Sequence, residues 1–404
     1  MAYAAATGFV ASGEGLRSGL RVQVANRLEE LEAVRDEWRR LWFAAGNCAV
    51  SLLPEFVIPY LRYRLPPGTE WICVLVLDGE RLIGVLPAVW GRAKLLPRLG
   101  HRFMPTHEFV SDFVVADGRA HEVFRKVLPA LGGAVPGWRR LDLRRIRGDS
   151  PTLSLPVKPP AGFRVTRGPC RYGSYLATVG SFEEYYQSLS HNFRGNLRKA
   201  RNKLAQLQDV HAVFLRPKAL TEADFQCFID LEAAGWKGER GAAIKYREGW
   251  ADFYREFTAG LARAGCLDWN FLWAEGRVIA AQMAVRTGSR LSVFKIAYDE
   301  NYAHCAPGNL LWAMMLEAAF AAEEIREVDA LSDMAWHRNW QMEQRQYYDL
   351  RIVPQGLVPA ALSFWEEHGD QVLAETKRVL GAVPGLRPLV RAIRRRHSGV
   401  VIHP

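Results

Sequence analysis

The residues best suited to chemistry lie in the second half of the sequence. Arg194, Arg198, Lys199, Arg201 and Lys203 fall within one short stretch. Arg194 and Arg198 are four apart and share a helical face, where they offer planar donors to a phosphate; a solvated basic face is the ordinary alternative. Ala306-Pro307-Gly308-Asn309-Leu310-Leu311 follows an apolar run and opens another. A helix start presents unpaired N–H groups to an anion, and Gly308 lets that anion approach the backbone closely. Glu232 sits on a helical pattern whose Phe225, Phe228 and Ile229 face a core. At such a boundary burial raises a carboxyl pKa and suits it to general-base work; the alternative is a surface pair with Lys237 or Arg240. His337 is the second candidate base, since imidazole titrates near neutrality. Tyr298, at the end of a strand-like run, is a candidate proton donor or a core aromatic.

These groups need a sizeable scaffold, and the chain supplies one. Its 404 residues exceed one ordinary core and suit two domains. Hydrophobic residues make up 49% and charged residues 24%, an ordinary balance that excludes general disorder. No uninterrupted apolar stretch is long enough to span a bilayer. The start, Met1 to Gly13, has neither a basic n-region nor a long apolar core, so a secretory signal is not expected. The six cysteines are scattered, with no Cys-x-x-Cys pair, which signals neither a metal site nor a disulfide framework and points to a reducing cytoplasm. The net charge of +10 favours anionic partners.

The periodicity predicts a short strand at Arg21–Val24, a helix over Leu28–Trp42, and a hairpin from Trp71 to Trp90 turning at Asp78-Gly79. Pro151 to Pro160 holds four prolines and reads as a linker. Beyond it come a helix capped by Ser181, the basic helix to Leu207, a helix capped by Thr221, a helix over Trp250–Ala264 and a second hairpin. A third strand ends at Tyr298, a helix opens at Pro307, and a strand lies at Glu327–Leu331. The hairpins, VLVLDGERLIGVLPAVW and NFLWAEGRVIAAQMAVR, resemble each other and suggest a duplication.

Several segments between Gly173 and Tyr348 are similar to the GNAT acyltransferase superfamily, and to its branch assigned to cellulose or exopolysaccharide biosynthesis, which shares a two-domain plan with FemAB-like transferases. They are Asn192 to Ala200, Leu231 to Lys237 with Gly241, Ala297 to Asp299 leading into Ala306–Leu311, and Asp329 to Trp340. The glycine loop is thinner than usual in that superfamily, and His337-Arg338 stand where the branch carries a lysine. The resemblance implies an α+β fold of two tandem GNAT-like domains with mixed, largely antiparallel sheets flanked by helices. The expected division is a degenerate first domain over 20–150, a linker over 151–160, a catalytic domain over 161–355 and a basic helical extension over 356–404.

The resemblance also implies the reaction: an amine attacks the thioester of acyl-CoA. Ala306, Pro307, Gly308, Asn309, Leu310 and Leu311 then hold the CoA pyrophosphate. Glu232 or His337 is the base, and Tyr298 serves the departing thiolate. Arg194, Arg198, Trp236, Lys237, Asp333 and Trp340 line the substrate path. No metal is expected. The acceptor is a lipid amine such as a sphingoid base, or an amino sugar of the envelope. The arginines from Arg387 to Arg396, set among Leu389, Val390 and Ile393, suit an anionic membrane surface, which implies a cytoplasmic enzyme, peripheral on the inner face of the membrane. Two other readings stand beside it: a FemAB-type aminoacyl-tRNA-dependent transferase, with nucleic acid disfavoured for want of an RNA-reading motif, and an idle binding module of the same fold.

Overall fold

The computed structural model describes residues 19–45, 49–92, 101–104, 110–219, 221–235, 238 and 241–356. The first half runs β1 (Leu20–Ala25), α1 (Leu28–Ala33), α2 (Arg35–Ala44), α3 (Pro54–Tyr63), β2 (Glu70–Asp78), β3 (Arg81–Arg92), β4 (His101–Met104), β5 (Val114–Val115), α4 (Ala120–Ala134), β6 (Trp138–Arg147) and β7 (Phe163–Ala177). The second runs α5 (Phe182–Ser188), α6 (His191–Leu204), β8 (His211–Leu215), α7 (Glu222–Ala234), α8 (Trp250–Arg263), β9 (Leu267–Ala274), β10 (Arg277–Thr287), β11 (Arg290–Tyr298), α9 (Pro307–Ala321), β12 (Glu327–Asp329) and β13 (Glu343–Pro354).

The thirteen strands of the described residues form one sheet, in the order β1-β2-β3-β4-β6-β13-β7-β12-β11-β10-β9-β8, with β5 paired to β3. The order is a mirrored repeat. Each strand on this path has a counterpart in the other half, β5 standing outside the repeat, and the hairpin β2–β3 matches β9–β10. The centre departs from simple tandem packing: the closing strand of each half is laid against the other half. Thus β13 pairs with β6, β7 pairs with β12, and β7 and β13 pair with each other. The fold is α+β, with largely antiparallel strands flanked by helices.

The helices follow their caps. Ser181 accepts the N–H of Glu184 and Thr221 that of Asp224, each satisfying an orphan donor at a helix start. The helix expected over Leu28–Trp42 is interrupted at Val34, whose N–H turns back to the carbonyls of Leu31 and Glu32. The proline-rich 151–160 stretch includes a 3₁₀ turn that buries Thr152. One face of the sheet carries a core shared by both halves, where Phe56 of α3 meets Phe253 and Phe257 of α8 at 5.1 and 5.2 Å. The opposite face carries α9, with Leu310, Leu311 and Trp312 buried against β9, β10 and β11.

Candidate active site

Strands β11 and β12 run parallel over only three pairs, Arg290–Glu327, Leu291–Val328 and Ser292–Asp329. Beyond them the two chains part. β11 continues beside β10, with Phe294 bulged out of register, while the other chain turns at Leu331, a left-handed residue (φ 56°) whose N–H is held by Asp329 Oδ1 at 2.8 Å. A bulge bends a strand and re-aims its side chains. A cavity of about 340 Å³ fills the gap, with Val293 to Tyr298 on one wall and Ala330, Ser332 and His337 on the other.

A second cavity, about 320 Å³, adjoins the first and shares Ile296, Ala297, Tyr298, Trp312 and Trp336 with it. It opens onto the start of α9. Asp299 caps the preceding 3₁₀ turn by accepting the N–H of Asn301 at 2.9 Å. Ala306 then adopts a left-handed conformation (φ 46°, ψ 53°) and Pro307 takes the first helical position, where its missing N–H costs nothing. The N–H of Leu310 already serves the carbonyl of Ala306, so the first-turn N–H groups of Gly308 and Asn309 are those directed at an incoming ligand.

The wall of the first cavity is titratable. Glu232, on α7, is buried, and its Oε2 accepts the backbone N–H of Ile244 at 2.8 Å. His337 is buried between Trp312 and Trp336, with ring centroids 6.4 and 4.2 Å away. Burial pushes its pKa below the usual imidazole value, partly opposed by Asp333 and the Ser332 carbonyl. Its Nδ1 accepts the N–H of Met334 at 3.2 Å, so the neutral ring carries its proton on Nε2.

The sequence candidates divide on this geometry. Glu232, His337 and Tyr298 meet at the first cavity. Ala306, Pro307, Gly308, Asn309 and Leu311 line the second. Leu310 does not: it points into the core beneath, because only one face of a helix start can look outward. Trp340 is also a core residue, packed edge-on against Phe193 at 5.0 Å. Asp333 is exposed and accepts from Ser174 and Gln344 at 3.3 and 3.2 Å. Arg194 is tied to Gln187 of the preceding helix, and neither it nor Arg198 lines either cavity. Trp236, Lys237 and the basic tail lie outside the described residues. Gln282, Trp312 and Trp336 are among the lining residues that the sequence did not assign to the site. Gln282, buried and accepting from Asn270 at 3.1 Å, interrupts an apolar strand, and that polar residue was the available signal. Trp312 and Trp336 line both cavities, and the indole Nε1 of Trp312 is buried with no partner among the described residues.

Residues 191–338 match the family model described as an acetyltransferase (GNAT) domain. The parted strands, the bulge and the start of α9 all fall within the matched stretch. No curated protein matches the sequence. Among solved structures, the chain is similar to FemX, with a TM-score of 0.53 at 12% identity over 78% of this chain and 95% of that one. It is also similar to the C-terminal domain of a putative lysylphosphatidylglycerol synthetase from Agrobacterium fabrum, with a TM-score of 0.50 at 11% identity over 83% and 94% of the two chains. At these identities the likeness establishes the fold.

Proposed function

We propose that the protein transfers an acyl group from a CoA thioester to a primary amine, with the thioester in the gap between β11 and β12 and the pyrophosphate at the start of α9. The observation that carries this reading is the parting of β11 from β12 directly beside a helix N-terminus. Among the described residues, the strand edge from Val293 onward has no strand on that side to use its N–H and C=O groups, so an amide-bearing pantetheine arm suits it. Residues present fit the group: two first-turn N–H donors face the second cavity, and Gly308 keeps that approach open.

An ammonium with a pKa near 10 is neutral in only about one molecule per thousand at neutral pH, so the site needs a base. Glu232 fits that role, held in place by Ile244. His337 fits a different one than expected, because its Nδ1 is occupied and its Nε2 is a donor. The ammonium first gives a proton to Glu232, directly or through a water, and Glu232 passes it to solvent; the neutral nitrogen then attacks the carbonyl carbon, and its second proton goes to Glu232. The oxyanion takes hydrogen bonds from donors in the cavity wall, a role we assign to His337 Nε2 and Trp312 Nε1. The C–S bond then breaks, and the thiolate leaves as a thiol with the Tyr298 proton. Tyr298 regains its proton from solvent and Glu232 returns its own.

The acceptor we favour is an amine of the cell envelope, either a lipid amine such as a sphingoid base or an amino sugar. The apolar lining of the cavities and the basic amphipathic tail beyond residue 356 support the lipid form. Exposure of the purified protein to acyl-CoA and candidate amines, with amide formation read by mass spectrometry, tests the reading; turnover with aminoacyl-tRNA but not with acyl-CoA would replace it with aminoacyl transfer, the reading that the likeness to FemX and the +10 charge support. Flotation with anionic and neutral vesicles at low and high salt tests the tail, since a charge-based contact weakens as salt screens it.

A further inference from the structure

The exchanged strands create a second polar site that the transfer chemistry does not use. Where β6, β13 and β7 lie side by side, the registers set Arg147, Tyr347 and Arg171 opposite one another in a single row. Residues directly opposite in antiparallel strands share a face, with Cβ atoms about 5 Å apart. Both neighbours of β13 slip register at Asp349. On the β6 side the slip holds Arg145 in a left-handed conformation (φ 55°), its N–H bound to Asp349 Oδ1 at 2.9 Å. A non-glycine residue kept there is strained, and the bulge turns its side chain away from the regular alternation.

Two of the guanidinium groups here, those of Arg147 and Arg145, keep donors without a partner among the described residues. Arg147 is buried; its Nε and Nη2 grip Asp149 at 2.9 and 2.7 Å, while its Nη1 is buried with no partner among the described residues. Arg145 is half-buried, and among the described residues its guanidinium makes no hydrogen bond or ion pair. Burial lowers its pKa and Arg171 adds to that effect, while Tyr347, Asp349 and Asp329 oppose it. Asp349 is already engaged by the Arg145 N–H and lies 3.8 Å from Arg171. The buried Nη1 and the Arg145 fork are therefore unused donors of the kind that bind oxyanions best.

We propose that this seam holds an anionic group of the acceptor, a phosphate or a carboxylate, through Arg145 and Nη1 of Arg147, with Arg171 alongside. Along β7, Ser174 is three residues from Arg171, and its carbonyl accepts the N–H of Ala330, which lines the thioester cavity. At 3.3 Å per residue the anion and that cavity are then about 10 Å apart. The acceptor class is thus an extended molecule with an amine at one end and an acid group near the other. This inference rests on the transferase reading for the identity of the ligand, but not for the existence of the site.

The test is a titration of the full-length protein with inorganic phosphate, and in parallel with acetate, followed by phosphorus or carbon NMR line width at low ionic strength. Saturating CoA is present to block the start of α9. Wild type is expected to bind one of the two anions, and whichever binds more tightly names the acid group. Arg145→Gln should weaken that binding about tenfold or more, the effect expected for loss of a charge-assisted contact, without altering the melting temperature. Arg147→Lys, which keeps the charge and loses the fork, should weaken it as well. Binding of neither anion by wild type, or equal binding by wild type and Arg145→Gln, overturns the proposal. CoA affinity measured by titration of separate, CoA-free samples reads the transferase proposal: no CoA binding together with an Arg145-dependent anion site would sink that reading and keep the seam.

Discussion

Glu232 and Ile244 are joined by a hydrogen bond from the backbone N–H of Ile244 to Oε2 of Glu232, 2.8 Å long and buried. It ties the end of α7 to the 3₁₀ turn before α8 and fixes one carboxylate oxygen, so the group is positioned before any substrate arrives. Pre-positioning of this kind is what a general base needs. Glu232→Gln keeps the side-chain shape and removes the base, so turnover should fall by about 10²–10⁴ while CoA affinity is unchanged. A mutant with full turnover, alongside a His337→Gln variant that loses it, would move the base to His337.

The start of α9 gives a prediction about binding alone. A Cβ placed on Gly308 would stand 3.4 Å from the Tyr298 ring, an ordinary contact, so Gly308→Ala should be tolerated. Valine adds two methyl groups at the point where the N–H donors face the second cavity. Gly308→Val should weaken CoA binding about tenfold or more, a loss of roughly 1.4 kcal/mol or greater, with the melting temperature of the protein little changed. Calorimetric titration with CoA reads this directly, and equal affinity in a folded variant would remove the pyrophosphate from this turn.

How far the sequence anticipated these features depends on which residues carry the signal. The hairpins were legible because β2–β3 and β9–β10 alternate apolar runs with Asp-Gly and Glu-Gly turns, and the helix starts were legible because Ser181 and Thr221 cap as expected. The strands that exchange between the halves were not. β7 and β13 mix Arg167, Arg171, Arg345 and Tyr347 with the buried Val165, Leu350 and Ile352, and ion pairs such as Arg345–Glu327, 2.5 Å long, replace a hydrophobic contact at the centre of the sheet. A charged strand has no periodicity of the usual kind. At the site, Glu232 and the start of α9 stood out by residue type. Trp336 did not, because an aromatic residue near a cavity and one in a core look alike until the chain path is known. Arg194 and Arg198 were prominent for their charge, yet α6 turns the first toward Gln187.

Two buried groups should give opposite pH signatures. Asp112 accepts hydrogen bonds from Ser150 at 2.6 Å, from Thr152 and from the N–H of Phe113, but burial outweighs them and pushes its pKa up to about 6. Its folded-state pKa lies above the unfolded value, so its favourable contribution is full at acidic pH and is lost as pH rises through about 6. Asp112→Asn cannot titrate. Relative to wild type the variant should therefore gain stability between about pH 4 and 7, by up to roughly 3 kcal/mol for a two-unit shift. His337 has the reverse sign. Its folded pKa is depressed, so wild type loses stability as pH falls through the unfolded imidazole value, and His337→Gln should flatten that loss. Thermal melts of the three proteins across this pH range separate the effects; parallel curves for wild type and Asp112→Asn would show that Asp112 is not ionising in the window.

The last prediction concerns how the halves are joined. Gly249 precedes α8 in a left-handed conformation (φ 72°), and a Cβ built there would lie 2.2 Å from the backbone carbonyl oxygen of Tyr63, at the end of α3. Two penalties therefore combine at one position. A non-glycine residue with this φ is strained by about 1–3 kcal/mol, and the clash is with backbone, which cannot swing away as a flexible side chain would. The helices it would push apart are the pair that carries Phe56, Phe253 and Phe257 in the shared core, with Arg62 of α3 paired to Glu256 of α8. Gly249→Ala should therefore cost about 2–4 kcal/mol, more than replacement of an exposed turn glycine such as Gly276, which also has a positive φ but meets no atom within 4 Å. Because the closing strands are exchanged between the halves, the loss should appear as one cooperative transition moving to lower denaturant. A variant in which the first half melts separately, leaving the second half folded, would show that the shared sheet and core do not couple the halves.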